Sequence, residues 1–192
     1  MPAWEVAYLF PAQGTWSEPE YLALSGNRLV EFSDGTIEVL PMPTELHQMI
    51  LKFLLDLLHA HVSRTDGGVV LPAALRVQLW PGKIREPDIV FMRKANEARR
   101  GNEFWIGADL VMEIVSGDAK DRERDLVVKR AEYARGRIPE YWIVDPETRD
   151  ITVLTLRGDR YEEHGVFQEG QTATSVLLPG FSADVSRVFT LK

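Results

Sequence analysis

The apolar and polar positions of the first third of the chain predict a β-hairpin followed by a long helix. Residues 28–33 and 36–40 have the composition of strands, and Asp34-Gly35 between them suits the positive φ angles of a tight turn. Thr44 is suited to cap a helix that runs to about Val62. The apolar residues of this segment recur at helical spacing, namely Leu46, Met49, Ile50, Phe53, Leu54, Leu57 and Leu58.

The remainder of the chain predicts strands that surround a second helix. Strands are expected at 69–80, 84–92, 110–115 and 140–144, with a hairpin formed by 151–157 and 160–166. The charged stretch 93–107 is expected to be a surface loop. The second helix is predicted from Asp121 to Arg135, because Gly136 follows at the position that glycine favours after a helix.

This order of elements predicts an α/β fold of the α+β kind, in which helices pack on a mixed β-sheet. A length of 192 residues suits a single domain that spans residues 1–192. Residues 1–27 are rich in proline, glycine and aromatic residues, and they are expected to form an N-terminal extension packed on that domain.

Composition narrows the chemistry that the chain can perform. There is no cysteine, so disulfides, thiolate-bound zinc and a cysteine nucleophile are excluded, and a metal site must use oxygen ligands or the four histidines. Such ligands favour hard cations, Mg²⁺ or Mn²⁺. His59 and His61 are two residues apart on a predicted helix and therefore lie on different faces, which makes a zinc pair a remote alternative.

The charge distribution argues mildly against a protein that coats nucleic acid without specificity. The net charge is −7, whereas phosphate contacts need lysine and arginine. The balance reverses from Lys120 to Arg137, where seven basic residues stand against four acidic ones. No apolar run approaches the roughly 18 residues that cross a bilayer. The N-terminus also lacks the pattern of a secretion signal, so a cytoplasmic protein that does not bind membranes is expected.

Glu113 is the first candidate for chemistry. It lies within the stretch 109–116, whose two faces are both apolar, as in an interior strand covered on both sides. A lone carboxylate in such a strand carries a large desolvation cost, so it must be paired, protonated or bound to a cation. A buried ion pair is the alternative to a functional role.

Asp88 is the second candidate, because it directly precedes the apolar residues 89–91. Pro87 cannot donate a backbone hydrogen bond, which makes this point a strand start or edge. If the strands of Asp88 and Glu113 are neighbours, the two carboxylates can share one hard cation. The backbone carbonyl of Ile114 would then supply a third oxygen.

The predicted second helix carries Asp125, Lys129 and Tyr133 at successive i, i+4 spacings, which places them on one stripe. In that arrangement Asp125 and Tyr133 would orient Lys129 by hydrogen bonding. From spacing alone, however, a surface ion pair between Asp125 and Lys129 is the better explanation.

A set of motifs between Asp109 and Pro146 is similar to those of one known family. It comprises residues 109–116, Arg124-Asp125-Leu126, Lys129, Tyr133-Ala134 and the run Pro139-Glu140-Tyr141-Trp142-Ile143-Val144-Asp145-Pro146. Matching residues continue upstream through Glu86-Pro87-Asp88, His47, Asp34-Gly35 and Glu31, and downstream to Leu178-Pro179-Gly180-Phe181. Together they resemble the Uma family of endonucleases, members of the PD-(D/E)XK nuclease superfamily.

The resemblance implies a restriction-endonuclease-like fold and suggests a role for each matching residue. Asp88 corresponds to the motif aspartate, Glu113 to the second metal ligand and Lys129 to the catalytic lysine. The superfamily places this lysine two residues after the second ligand, where the chain has Val115. The resemblance explains the difference, since in the Uma family the lysine is carried by a helix.

Three further residues match positions near the site. Glu31 and His47 resemble accessory residues of the family. Glu45 is a weaker match to a helix acid of the wider superfamily.

The activity implied by the resemblance is hydrolysis of phosphodiester bonds in nucleic acid, with DNA as the expected substrate and Mg²⁺ or Mn²⁺ as the cofactor. The alternatives are a non-catalytic nucleic-acid-binding or protein-interaction domain with the same fold, and a hydrolase of another phosphate ester. No separate target-recognition domain is evident, so high sequence specificity is not expected. Cutting both strands of a duplex would suit a homodimer, although the sequence leaves the oligomeric state open.

Overall fold

The computed structural model describes residues 10–25, 29–115 and 122–190, and the structural statements below concern those residues. The helices are α1 (Glu18–Leu22), α2 (Glu45–Thr65), α3 (Lys129–Arg135) and α4 (Val185–Phe189), with a 3-10 helix at Lys94–Arg99 and a π-helical turn at Arg124–Val128. The strands are β1 (Val30–Ser33), β2 (Thr36–Val39), β3 (Gly68–Pro72), β4 (Val77–Trp80), β5 (Lys83–Arg85), β6 (Ile89–Arg93), β7 (Trp105–Ile106), β8 (Leu110–Ile114), β9 (Glu140–Asp145), β10 (Asp150–Arg157), β11 (Arg160–Gln168), β12 (Thr172–Thr174) and β13 (Ser182–Asp184).

The strands form three sheets, and the largest carries the middle of the chain. Its six strands follow the order β11-β10-β9-β8-β6-β3, in which β8 and β9 run parallel and the other neighbours run antiparallel. A second sheet has the order β2-β1-β5-β4-β7, and β12 pairs with β13. The predicted mixed sheet flanked by helices is confirmed.

Each face of the six-stranded sheet is covered by helical residues. The side chains of β8 alternate between the two faces, so successive residues of this strand pack against different helices. On one face Ile50, Leu54 and Leu58 of α2 pack with Met112 and Trp142. On the opposite face Val111 and Val115 pack with Tyr133, Ala134 and Tyr141. Glu113 shares the second face with Val111 by this alternation, so its side chain is directed towards α3.

The N-terminal segment packs on the five-stranded sheet. Trp16 and Tyr21 are buried in a cluster with Phe32 and Ile84. The Tyr21 hydroxyl donates a 2.7 Å hydrogen bond to the carbonyl of Val30. These contacts join residues 10–25 to the hairpin.

The predicted hairpin and long helix are present, with small differences at their ends. Asp34 and Gly35 both have positive φ, at 46° and 84°, as their turn requires. Thr44 caps α2 by accepting a hydrogen bond from the backbone of His47. The helix continues to Thr65, past the predicted end near Val62, and ends at Asp66 in the left-handed conformation. Arg28, where the first strand was expected to begin, lies outside the described residues.

Three predictions for the middle of the chain were wrong. The stretch 69–80 is divided between β3 and β4, and 84–92 between β5 and β6, so in both cases one predicted strand is two strands in different sheets. Proline 87, which lacks an N–H, lies at the second break. The stretch 93–107 contains the 3-10 helix and β7, and Trp105 of β7 is buried.

The end of the second helix is where the sequence predicts it, but glycine is needed there for a different reason. Gly136 has a φ of −70°, and Arg137 adopts the left-handed conformation instead. A Cβ on Gly136 would lie 3.2 Å from the side chain of Leu79, so the glycine allows α3 to approach β4 closely. The predicted start of this helix at Asp121 lies outside the described residues. Among those that are described, no helix is long and apolar enough to span a membrane.

Candidate active site

Asp88 lies where the chain crosses from the five-stranded sheet to the six-stranded sheet. It follows β5 and Pro87 and immediately precedes β6, which pairs with β8 in the register Ile89 to Met112. The Asp88 carboxylate oxygen Oδ2 accepts a 2.7 Å hydrogen bond from the backbone amide of Ile114. Asp88 therefore lies at the start of the strand that neighbours the strand of Glu113, as the sequence-based expectation of a shared cation assumed.

Lys129 connects Glu113 to two other carboxylates. Its ammonium Nζ lies 2.9 Å from Oε1 of Glu113, 3.2 Å from Oδ1 of Asp125 and 3.6 Å from Oε1 of Glu31. The Tyr133 hydroxyl donates a hydrogen bond to the same Glu113 oxygen. The structure thus brings together the second predicted ligand and the predicted lysine with Glu31, Asp125 and Tyr133, which the sequence also placed near the site.

The explanation of Asp125 and Lys129 as a surface ion pair is wrong, because each residue is only 2% exposed. Their helix packs on the face of the six-stranded sheet to which Glu113 projects, and this packing removes both residues from solvent. Tyr141 also stabilises the position of the π-helical turn, since its hydroxyl donates a 2.9 Å hydrogen bond to the carbonyl of Asp125.

Burial and neighbouring charge set the protonation of this cluster. Burial raises the pKa of Glu113 above its ordinary value; the Lys129 charge opposes this effect, while the charge of Asp88 adds to it. Burial lowers the pKa of Lys129, but Glu113, Glu31 and Asp125 outweigh burial and hold the pKa above its ordinary value. Lys129 consequently remains a buried ammonium.

Arg85 was not singled out by the sequence, yet it holds Glu31 in position. Its guanidinium forms an ion pair with Glu31 and a second one, at 2.7 Å, with Glu132 of α3. Burial raises the pKa of Glu31, but Lys129 and Arg85 outweigh it and hold the pKa at about 2. The sequence places Arg85 in the strand predicted at 84–92 but does not indicate its burial, which arises because β5 lies between β1 and β4.

His47 lies beside Asp88, at the first turn of α2. Its Nε2 is 3.3 Å from Oδ2 of Asp88, and its buried Nδ1 has no hydrogen-bond partner among the described residues. Burial lowers the pKa of His47, but the hydrogen bond and charge of Asp88 raise it above its ordinary value. Glu45, two residues earlier, is exposed and does not line the cleft described next.

These residues surround a cleft of about 470 Å³. Of the predicted residues, its lining includes His47, Asp88, Glu113, Ile114, Asp125 and Lys129. Glu31 and Tyr133 do not line the cleft. Glu31 contacts Lys129, and Tyr133 contacts Glu113.

The donor set of the cleft fits a hard divalent cation. In the described part of the chain, no three histidine, aspartate or glutamate side chains form a complete metal cluster. Asp88 and Glu113 nevertheless line one cleft from neighbouring strands. Mg²⁺ is commonly bound by one or two carboxylates and completes its coordination with water and substrate phosphate, so two carboxylates are sufficient.

The two histidines considered for zinc have separate neighbours. His59 is within 3.4 Å of the Ser63 hydroxyl, whereas the His61 ring packs edge-on against Phe181. Neither lines the cleft.

Comparisons with known proteins bear on the family and the fold of the chain. The family Uma2, described as "putative restriction endonuclease", matches residues 18–186. Among solved structures, the chain is similar to a putative nuclease belonging to DUF820 from Anabaena variabilis, with a TM-score of 0.74 and 19% identity. That similarity covers 91% of this chain and 98% of the other, and it establishes the likeness of the fold. No curated protein matches the sequence.

Proposed function

Because the chain belongs to the Uma2 family of putative restriction endonucleases, we propose that it is a divalent-metal-dependent endonuclease that hydrolyses phosphodiester bonds of DNA. In this proposal one domain acts with Mg²⁺ or Mn²⁺, and two copies together would cut both strands of a duplex. The observation that carries the proposal is the meeting of Asp88 and Glu113 in one cleft, with the Lys129 ammonium 2.9 Å from Glu113.

The proposed metal ligands are the carboxylates of Asp88 and Glu113, with the backbone carbonyl of Ile114 as a third oxygen. The chemistry supplied by a divalent cation at this point is polarisation of the scissile phosphate and a lower pKa of the attacking water. The hydrogen bond from the Ile114 amide holds one side of Asp88, and the hydrogen bond from Tyr133 holds Glu113. Both ligands are thereby oriented before substrate binds.

Lys129 supplies positive charge where negative charge develops on the phosphate. Lys129 lines the cleft and its ammonium is held by Asp125 and Glu31, so it needs little reorganisation during the reaction. Arg85 supports this position indirectly, since it fixes Glu31. His47 lies against Asp88 and can hold a proton at the mouth of the site.

A direct test is incubation of the purified protein with supercoiled plasmid DNA in Mg²⁺, in Mn²⁺ and in EDTA. We expect nicked and linear products with either metal and none in EDTA. Asp88→Ala should remove the activity, and Asp159→Ala is the matched control because Asp159 is exposed in the turn between β10 and β11 and does not line the cleft. Cleavage that survives in Asp88→Ala would point to a contaminating nuclease and contradict the proposal.

The same preparation separates an enzyme from a non-catalytic domain. A cation that binds the native state raises the melting temperature. A nuclease of the proposed kind should be stabilised by Mn²⁺ in the wild type and much less in Asp88→Ala. DNA binding without stabilisation by metal and without cleavage would identify a binding module that retains the fold.

A further inference from the structure

The lining of the cleft includes a group of apolar residues in addition to its carboxylates. The segment between β2 and α2 contributes Leu40, Pro41, Met42 and Pro43 to the lining, and α2 adds Leu51 and Leu55. We refer to residues 40–43 as the apolar wall. The apolar wall lines the same cleft as the carboxylates of Asp88 and Glu113.

Met42 is the most exposed part of the apolar wall. Its exposed fraction is 70%, and Val39 and Leu46 nearby are 51% and 43% exposed. Pro41 and Pro43 fix the backbone on both sides of Met42, so the side chain is presented at little entropic cost. Large apolar side chains exposed together beside a polar site are typical of a binding surface.

The charges of the cleft are poorly suited to holding a duplex by its phosphates. Three cations line it in the part of the chain that the structure describes, and each has a carboxylate partner: Lys52 with Asp56, Arg124 with Glu38 and Asp125, and Lys129 with Glu113. Affinity for duplex DNA comes largely from lysine and arginine that replace counterions on phosphates. A net charge of −7 adds to this disadvantage.

We propose that the apolar wall binds the base of an unpaired nucleotide, so that the preferred substrate is single-stranded DNA or a duplex with an unpaired step beside the scissile phosphate. This inference rests on the proposed function, which places that phosphate at Asp88 and Glu113. Methionine, leucine and proline are among the side chains that insert beside bases and unstack them.

The preference for an unpaired nucleotide follows from the position of the wall. An unpaired base is free to turn its face towards Met42 while its phosphate stays at the carboxylates. A paired base must first leave its stack, and the cost of unstacking and unpairing is smallest for a base that is already unpaired.

The proposal can be tested with three fluorescent DNA probes: a single strand, the blunt duplex of the same sequence, and that duplex with a central unpaired bubble. Binding is measured by anisotropy in EDTA, and cleavage in Mn²⁺. We expect the single strand and the bubble to bind about 10-fold more tightly than the duplex and to be cut faster, with cleavage of the bubble duplex inside the bubble.

Met42→Asp should weaken binding of the single strand about 10-fold, whereas Met42→Leu should retain it. Val166→Asp is the matched control, because Val166 is 43% exposed on β11 and does not line the cleft. Equal binding of all three probes, or no effect of Met42→Asp, would overturn the inference. A dimer that dissociates in Met42→Asp during sedimentation would also overturn it, because the wall would then be a contact between copies.

Failure of the inference and failure of the proposed function give different results. Metal-dependent cleavage of all three probes at equal rates contradicts only the role of the apolar wall. Tight binding of the single strand that depends on Met42, without cleavage in any metal, contradicts the nuclease and retains the wall.

Discussion

The ammonium of Lys129 lies 2.9 Å from the Glu113 carboxylate, and both side chains are at least 96% buried. Removing two opposite charges from water is costly unless each one is neutralised and hydrogen-bonded. Here Asp125, Glu31 and Tyr133 complete the surroundings of the pair. Both residues of the pair also line the cleft that Asp88 lines, where the proposed cation and phosphate would bind.

Asp88→Asn should abolish tight metal binding while preserving the fold. The amide oxygen of asparagine can still accept the hydrogen bond from Ile114, so the loss is confined to the negative charge and its ion pair with His47. Calorimetric titration with Mn²⁺ should show affinity reduced by more than about 10-fold, because ligand charge sets the affinity for hard cations. Asp159→Asn, at an exposed position in the turn between β10 and β11, is the control. Wild-type affinity in Asp88→Asn would show that the cation, if bound, lies elsewhere.

Glu113→Gln should remove hydrolysis and leave the metal-free protein folded. Lys129 keeps Asp125 and Glu31 as partners, and the variant removes one of several neighbouring negative charges. The free energy of unfolding without metal should therefore change by less than about 1 kcal/mol. Chemical denaturation in EDTA measures this quantity, and plasmid cleavage in Mg²⁺ measures activity. Loss of several kcal/mol in EDTA would identify Glu113 as chiefly a structural ion-pair partner.

Lys129→Met should slow cleavage about 10²–10³-fold in single-turnover assays at saturating Mg²⁺. It should also destabilise the metal-free protein by about 3 kcal/mol, because three buried carboxylates lose their shared cation. Addition of Mn²⁺ should recover part of this loss. Lysine 94, exposed and paired with Asp66, offers Lys94→Met as the control. A cleavage rate within a few-fold of the wild type would exclude a catalytic role for Lys129.

Arg85 and Glu31 should behave as a coupled pair. Arg85→Met leaves Glu31 without one of its two cations and should cost about 3 kcal/mol of unfolding free energy. The double variant Arg85→Met/Glu31→Gln should be more stable than the sum of the two single variants predicts, with a coupling energy of about 2 kcal/mol. Denaturant unfolding of all four proteins measures this energy. Additive effects would mean that Arg85 acts through Glu132 alone.

Asp145 should contribute stability that is lost in acid. Burial raises its pKa, but hydrogen bonds from Arg122 and from the backbone amides of Glu147 and Thr148 outweigh burial and hold the pKa below its ordinary value. A carboxyl with a lowered pKa in the folded state stabilises the protein above its unfolded-state pKa, near 3.9, and this stability is lost as the pH falls below it.

Asp145→Asn should therefore lower the unfolding free energy at pH 7 by about 2 kcal/mol. The difference from wild type should shrink as the pH falls below about 4. The nearby residues Glu147 and Asp150 are unchanged in both proteins, so comparison of the two cancels their contribution. A difference that stays constant from pH 7 to pH 3 would contradict the assignment.

Local sequence patterns are sufficient to predict many of the helices, strands and turns of this fold. The turn at Asp34-Gly35, the cap at Thr44 and the buried strand around Glu113 depend on residues close together in sequence, so their conformations could be predicted from composition and periodicity. The same holds for the end of α3 at Gly136, although the need for glycine there comes from Leu79, a residue distant in sequence.

The sequence by itself determined which residues are candidates for the site, namely Asp88, Glu113 and Lys129. Asp88 and Glu113 are charged residues in or beside apolar stretches, and all three match the motifs of one family. Only the tertiary structure decided that they meet. The stretch predicted as one strand at 84–92 is interrupted at Pro87, and its two parts belong to different sheets. The interruption places Asp88 at the start of β6, which pairs with the strand of Glu113. The partner of a strand, and the burial of a helix face such as that of Lys129, depend on contacts between residues far apart in the chain. Hydrophobic periodicity describes one segment at a time and does not contain that information.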